Sequence, residues 1–67
     1  MLNVKISAEI SVDKMRELYA RLEDESTPHA VVVRKCRPFV KVVVIHCEAN
    51  KAGYFKSILA PLELLSV

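Results

Sequence analysis

The stretch from Ala30 to Cys47 reads AVVVRKCRPFVKVVVIHC, and its arrangement decides the fold. Valine and isoleucine dominate both Ala30 to Arg34 and Val40 to Cys47. Branching at Cβ restricts these side chains to rotamers that suit a pleated surface, so both runs read as strands. Between them Lys35-Cys36-Arg37-Pro38 reads as a turn, with Pro38 forcing Arg37 to be extended. Two strands joined by a short loop make a hairpin. In its second arm Val40, Val42 and Val44 fall on one face, and Val43, Ile45 and Cys47 on the other. A strand apolar on both faces is expected to be covered on both sides.

Outward toward the N-terminus, Leu2, Val4, Ile6, Ala8 and Ile10 alternate with Asn3, Lys5, Ser7 and Glu9. This period of two predicts a strand with one buried face and one wet face. Ser11 is placed to cap a helix, and Asp13 in the first turn suits the helix dipole. Val12, Met15, Leu18, Tyr19 and Leu22 form the apolar stripe of that helix, which the acidic run Glu23-Asp24-Glu25 ends before Pro28. Outward toward the C-terminus, Asn50 is expected to cap a second helix. Its stripe is Ala52, Phe55, Ile58, Leu59, Leu62 and Leu65. Pro61 removes one helical hydrogen bond and predicts a kink or break between Ser57 and Ala60.

The order is therefore β-α-β-β-α. It predicts an α+β fold, one small domain over residues 1–67, with a three-stranded antiparallel sheet and two helices on one face. Those helices can cover one side of the doubly apolar strand only, and a second copy of the chain is the simplest cover for the other. The stripes are mostly core. The leucine-rich end, with Leu64, Leu65 and Val67, exceeds what so short a chain can bury and is expected to dock partly on a partner helix.

Composition narrows the function classes. At 67 residues a single core is marginal, yet 52% of the chain is hydrophobic and mean hydropathy is +0.25. Disorder needs the opposite composition, and a self-sufficient enzyme needs more scaffold. Net charge is only +2, but residues 1–28 carry four bases and six acids, and residues 29–67 carry six bases and two acids. The bases concentrate from Arg34 to Lys41, which can steer an anionic partner. Two cysteines are too few for a secreted disulfide scaffold. No basic start followed by an apolar run suggests a signal peptide, and the apolar runs are too short to cross a bilayer. A cytoplasmic protein with reduced thiols is expected.

The chemistry-bearing residues form no catalytic or metal pattern. His46 and Cys47 are adjacent on a strand and so point to opposite faces, and Cys36 and His29 add no chelating spacing. Both thiols read as buried structural groups, and no metal or other cofactor is expected. The run Glu23 to Glu25 reads as solvated charge at a helix exit, and no second wall faces it across a cleft. Arg34, Lys35, Arg37 and Lys41 have two readings. They can keep strand edges soluble, or they can contact phosphates with Phe39 as a stacking side chain.

The layout resembles the small dimerisation subunit of the KEOPS complex, the CTAG/Pcc family. The similarity runs through the chain: Glu9-Ile10-Ser11 closing the first strand, the helix to Leu22, the acidic loop with Pro28, the long hairpin, and Glu48-Ala49 entering the last helix. Within that helix Phe55-Lys56-Ser57-Ile58-Leu59 resembles the family's small polar pair followed by aromatic and aliphatic residues. Ser57 and Leu59 match. Lys56 replaces the usual Asn, Ile58 stands where an aromatic is common, and Gly53-Tyr54 replace basic and aliphatic residues. The resemblance implies a non-catalytic subunit, and the departures point to a divergent paralogous branch. Such a subunit dimerises and binds a large ATP-dependent subunit in a complex that installs threonylcarbamoyladenosine in tRNA. It further implies that Met15 and Leu22, with Phe55, Ile58, Leu59, Leu62 and Leu65, carry the partner contact. Val40, Val42 and Val44 would form the dimer face, and the hairpin bases Arg34, Lys35, Arg37 and Lys41 would help hold tRNA. A small nucleic-acid-binding domain using the hairpin, or a purely structural homo-oligomer, are the alternative expectations.

Overall fold

The structure, a computed structural model, describes residues 2–64. The elements are β1 (Val4–Ser11), α1 (Val12–Glu23), β2 (His29–Arg37), β3 (Val40–Cys47), a 3-10 turn (Ala49–Lys51) and α2 (Ala52–Leu59). The three strands form one antiparallel sheet in the order β1-β3-β2. The doubly apolar strand is thus the central one, with Ile6 opposite Ile45 on one side and Val31 opposite Ile45 on the other.

One cluster joins the helices to one face of the sheet. Ile6, Ala8 and Ile10 from β1 meet Val43, Ile45 and Cys47 from β3, beneath Met15, Leu18 and Leu22 of α1 and Phe55, Ile58 and Leu59 of α2. Ile10, Leu18, Val43, Ile45, Cys47 and Phe55 are fully buried. Each such side chain contributes roughly 1.5–3 kcal/mol relative to an exposed one. Val31 and Val33 of β2 are only partly buried against the cluster, because the helices lie over β1 and β3.

Several boundaries differ from the sequence expectation, each for a local reason. The hairpin turn is tighter than Lys35 to Pro38: β2 continues to Arg37, and only Pro38 and Phe39 lie between the strands. Ser11 does occupy the N-cap of α1, in extended conformation, but its hydroxyl makes no cap bond. The Val12 N–H donates instead to the Phe39 carbonyl at 2.9 Å, which pins the turn to the start of the helix. The stripe of α1 is narrower than expected. Met15, Leu18 and Leu22 are buried, while Val12 and Tyr19 stand exposed. Asn50 lies inside the 3-10 turn, and Lys51 is the residue at the N-cap of α2.

Pro61 ends the last helix rather than bending it. The Ala60 N–H still reaches Lys56, but Pro61 has no N–H to offer Ser57, and the Leu62 and Glu63 N–H groups both return to the Leu59 carbonyl. The chain then turns beside β1: Glu63 bridges Ile10, and the Leu64 N–H donates to the Glu9 carbonyl at 2.8 Å. Leu62 is buried although it lies beyond α2. Leu65 and Val67 lie outside the described residues.

The loop after α1 is latched to α2. Glu25 accepts bonds from the Thr27 N–H at 3.1 Å and from the Tyr54 hydroxyl, and Thr27 offers its carbonyl to His29 Nδ1 at 2.7 Å. The Tyr54 bond, then those from Thr27, hold the Glu25 carboxyl below its ordinary 4.5, and the same carboxylate raises the Tyr54 phenol above 10.0. A carboxyl whose pKa falls on folding adds stability above its unfolded value and loses it as pH drops through the folded one. A phenol whose pKa rises adds stability below its unfolded value and loses it as pH climbs through the folded one. The latch therefore works from above the carboxylate range up to the phenol range. Tyr54→Phe should flatten the loss of melting temperature between about pH 6 and pH 3, followed by circular dichroism. An unchanged profile would show that the latch contributes nothing.

Candidate functional site

The second face of the sheet carries the first candidate surface. Strand alternation sends Lys5, Ser7 and Glu9 of β1, Val42, Val44 and His46 of β3, and Ala30, Val32 and Arg34 of β2 to this side. The register sets Val44 between Ser7 and Val32, and Val42 between Glu9 and Arg34. Among the described residues, no helix belongs to this side. Val42 and Val44 are half-buried, and Val32 is 38% exposed. Val40 closes the row at the hairpin end, where it is buried opposite Ser11. The result is a valine centre with a rim of mixed sign: Lys5, Glu9 and Arg34.

A register shift between Lys35 and Arg37 marks a bulge at Cys36. The extra residue brings Cys36 and Arg37 together beside Glu9. Cys36 Sγ lies 3.5 Å from Glu9 Oε1, and Arg37 Nη2 lies 3.6 Å from the same oxygen. Desolvation first, then the Glu9 carboxylate, raises the Cys36 thiol above its ordinary 9.0. Cys36 is exposed, contrary to the expectation of two buried thiols, whereas Cys47 is buried; both are free. The bulge on an edge strand is what frees Cys36 from the alternation that buries Cys47.

The hairpin tip is the second candidate surface. Pro38 restricts its own φ to near −65°, and Phe39 has φ 66°, a left-handed backbone position that normally takes glycine. Left-handed backbone costs a residue with a Cβ on the order of 1 kcal/mol or more. Phe39 gains no packing in return, since it is 82% exposed. A cavity of about 340 Å³ lies between this tip and the first residue of α1; Val12, Pro38 and Phe39 line it together with the three bases Lys35, Arg37 and Lys41.

The four hairpin bases are divided between the two faces of the sheet, although Lys35, Arg37 and Lys41 all reach the tip cavity. Arg34 and Arg37 belong to the open face of the sheet, where Arg37 pairs with Glu9. Lys35 and Lys41 are direct cross-strand partners on the side of the helices. Sequence reasoning missed this division, because it depends on the bulge at Cys36.

The helical residues expected to meet a partner occupy a different place. Met15, Leu22, Phe55, Ile58, Leu59 and Leu62 are each at most 8% exposed and pack within the chain's own core. A protein approaching the helices of this domain would meet Val12, Tyr19 and Tyr54, which are exposed. Hydrophobic periodicity locates an apolar stripe, but it cannot say whether the stripe is consumed by its own sheet. His46 and Cys47 lie on opposite faces of β3, and no group of His, Cys, Asp and Glu that could hold a metal occurs among the described residues. No helix among them is long and apolar enough to cross a membrane.

Comparison with protein-family models, with curated proteins and with solved structures finds no match to this chain.

Proposed function

We propose that this chain is a non-catalytic dimerisation and assembly subunit, and that a second copy packs on the valine face of its sheet. The observation that carries the reading is the central strand. Its Val43, Ile45 and Cys47 are fully covered by helices, while Val42 and Val44 carry equally apolar side chains on the side without them. Around a two-fold axis such a patch meets itself, and its rim offers Glu9 as well as Lys5 and Arg34 for pairing. Within this proposal, the KEOPS resemblance names the finer role. The dimer would serve a cytoplasmic tRNA-modifying complex and bind a large ATP-dependent subunit. The element order supports that role in outline. Because the helical stripe is buried, the partner contact in this proposal would fall on exposed positions such as Tyr19 and Tyr54.

Sedimentation equilibrium of the purified chain tests the dimer, with Val44→Asp as the variant. A dimer that becomes a folded monomer on substitution is the expected result. A wild-type monomer at about 100 μM would overturn the reading, since a functional dimer has a Kd well below that. Mass spectrometry of proteins that co-purify from the native host tests the finer role, and recovery of no ATP-binding subunit would remove it.

A further inference from the structure

We infer that the hairpin tip is a binding site for single-stranded nucleic acid, with one base stacked on Phe39 and two phosphates held by Lys35 and Lys41. Three independent observations meet there. Phe39 is held in left-handed backbone and projects into solvent, so neither turn geometry nor core packing accounts for an aromatic ring at this position. Its backbone is fixed, because the Phe39 carbonyl accepts the Val12 N–H, and a ring carried on a fixed turn loses little freedom when a base stacks on it.

The lysines supply the second observation. Lys35 and Lys41 are direct neighbours across the strands, an arrangement in which like charges repel. Neither side chain has a hydrogen bond or ion pair among the described residues, whereas Arg37, which lines the same cavity, pairs with Glu9. A phosphate beside each ammonium group would convert repulsion into attraction. The third observation is space: the cavity of about 340 Å³ has both lysines and Phe39 in its wall, and it adjoins the apolar surfaces of Val12 and Pro38. A ring for stacking and adjacent cations for the backbone are what sequence-tolerant single-strand binding requires. A protein pocket could also take the ring, but two unneutralised lysines beside it favour a polyanion.

Fluorescence anisotropy with a labelled uridine oligomer of about 12 nucleotides tests the site, with a thymidine oligomer and a closed RNA hairpin as parallel probes. Both single strands should bind more tightly than the hairpin, whose bases are already stacked. The logarithm of affinity should fall against the logarithm of salt with a slope of about −1.4 for two phosphates, and Lys41→Gln should reduce it by about 0.7. Phe39→Gly should weaken binding about tenfold. That variant also relieves the backbone strain, so it should melt at the same temperature or higher, and weaker binding could not be ascribed to unfolding. Wild-type affinity in Phe39→Gly, equal affinity for the closed hairpin, or no binding at low salt would each overturn the site. Loss of a protein partner without any change in oligomer binding would assign Phe39 to a protein pocket instead. The site is independent of dimerisation, since Val44→Asp leaves every residue of the tip in place.

Discussion

Phe55→Ala should cost about 3–5 kcal/mol and leave the chain close to unfolded at 25 °C. The ring is fully buried where α2 meets the sheet, with the His29 ring at 5.4 Å and the Tyr54 ring at 5.3 Å from it. No other core side chain is as large. The surrounding strands are held by ladder hydrogen bonds, so they cannot collapse into the space it would leave. A domain of this length has a total stability of about 3–10 kcal/mol, and one cavity of that size removes much or all of it. Urea titration followed by circular dichroism measures the loss. Phe55→Leu keeps most of the volume and should cost only about 1 kcal/mol. A loss below about 1 kcal/mol for the alanine variant would mean that α2 is not seated on this core.

Two adjacent valines of β3 should respond to the same substitution in opposite ways. Val43→Asp places a carboxylate where exposure is 0% and no polar group waits to receive it. Burial of an unpaired charge costs several kcal/mol even after the group is neutralised by a raised pKa, so no cooperative melt should survive at neutral pH. Val44→Asp places the same group on the face without helices, beside Ser7 and Val32. There water can solvate it, and the melt should remain cooperative with a loss of about 1 kcal/mol. Thermal melts of both variants decide the matter. Unfolding of both would contradict the division of β3 into a helix-covered face and an open one.

The residues that made the fold legible are those whose side chains have only one use. Ile6, Ala8 and Ile10 must face a core, and their period of two announces β1 whatever surrounds it. The valines of β3 announced a strand covered on both sides because both of its faces are apolar, and its central place in the sheet came only with the structure. The end of β2 was harder to read. Lys35, Cys36 and Arg37 resemble a turn by composition, yet on an edge strand beyond the helices charged side chains can continue a ladder without being buried. The position of the turn was hidden for a related reason: a left-handed residue is usually glycine or asparagine, and here it is Phe39. Of the candidate surfaces, the open valine face was readable from alternation alone. The split between Lys35 with Lys41 and Arg34 with Arg37 was not, since one bulged residue reverses the count. Tyr19 fits the helical period but falls at the margin of a stripe that the sheet is too narrow to cover.

The strand order has a consequence for the moment at which this protein is made. β1 and β2 share no ladder; each takes its strand pairing from β3, which follows them both in the chain. A ribosome releasing residues in order would therefore deliver both outer strands and α1 before any of the sheet could close. Until Cys47 has emerged, Ile6, Ile10 and Val31 have no ladder partner, and the nascent segment is an amphipathic helix between two unpaired strands. The sheet then closes late and in one step, because the middle strand supplies the hydrogen bonds for both neighbours, and α2 follows it to complete the core. A chain interrupted before Val40 would hold no part of the sheet, and its apolar strands would be offered to whatever chaperone waits at the exit.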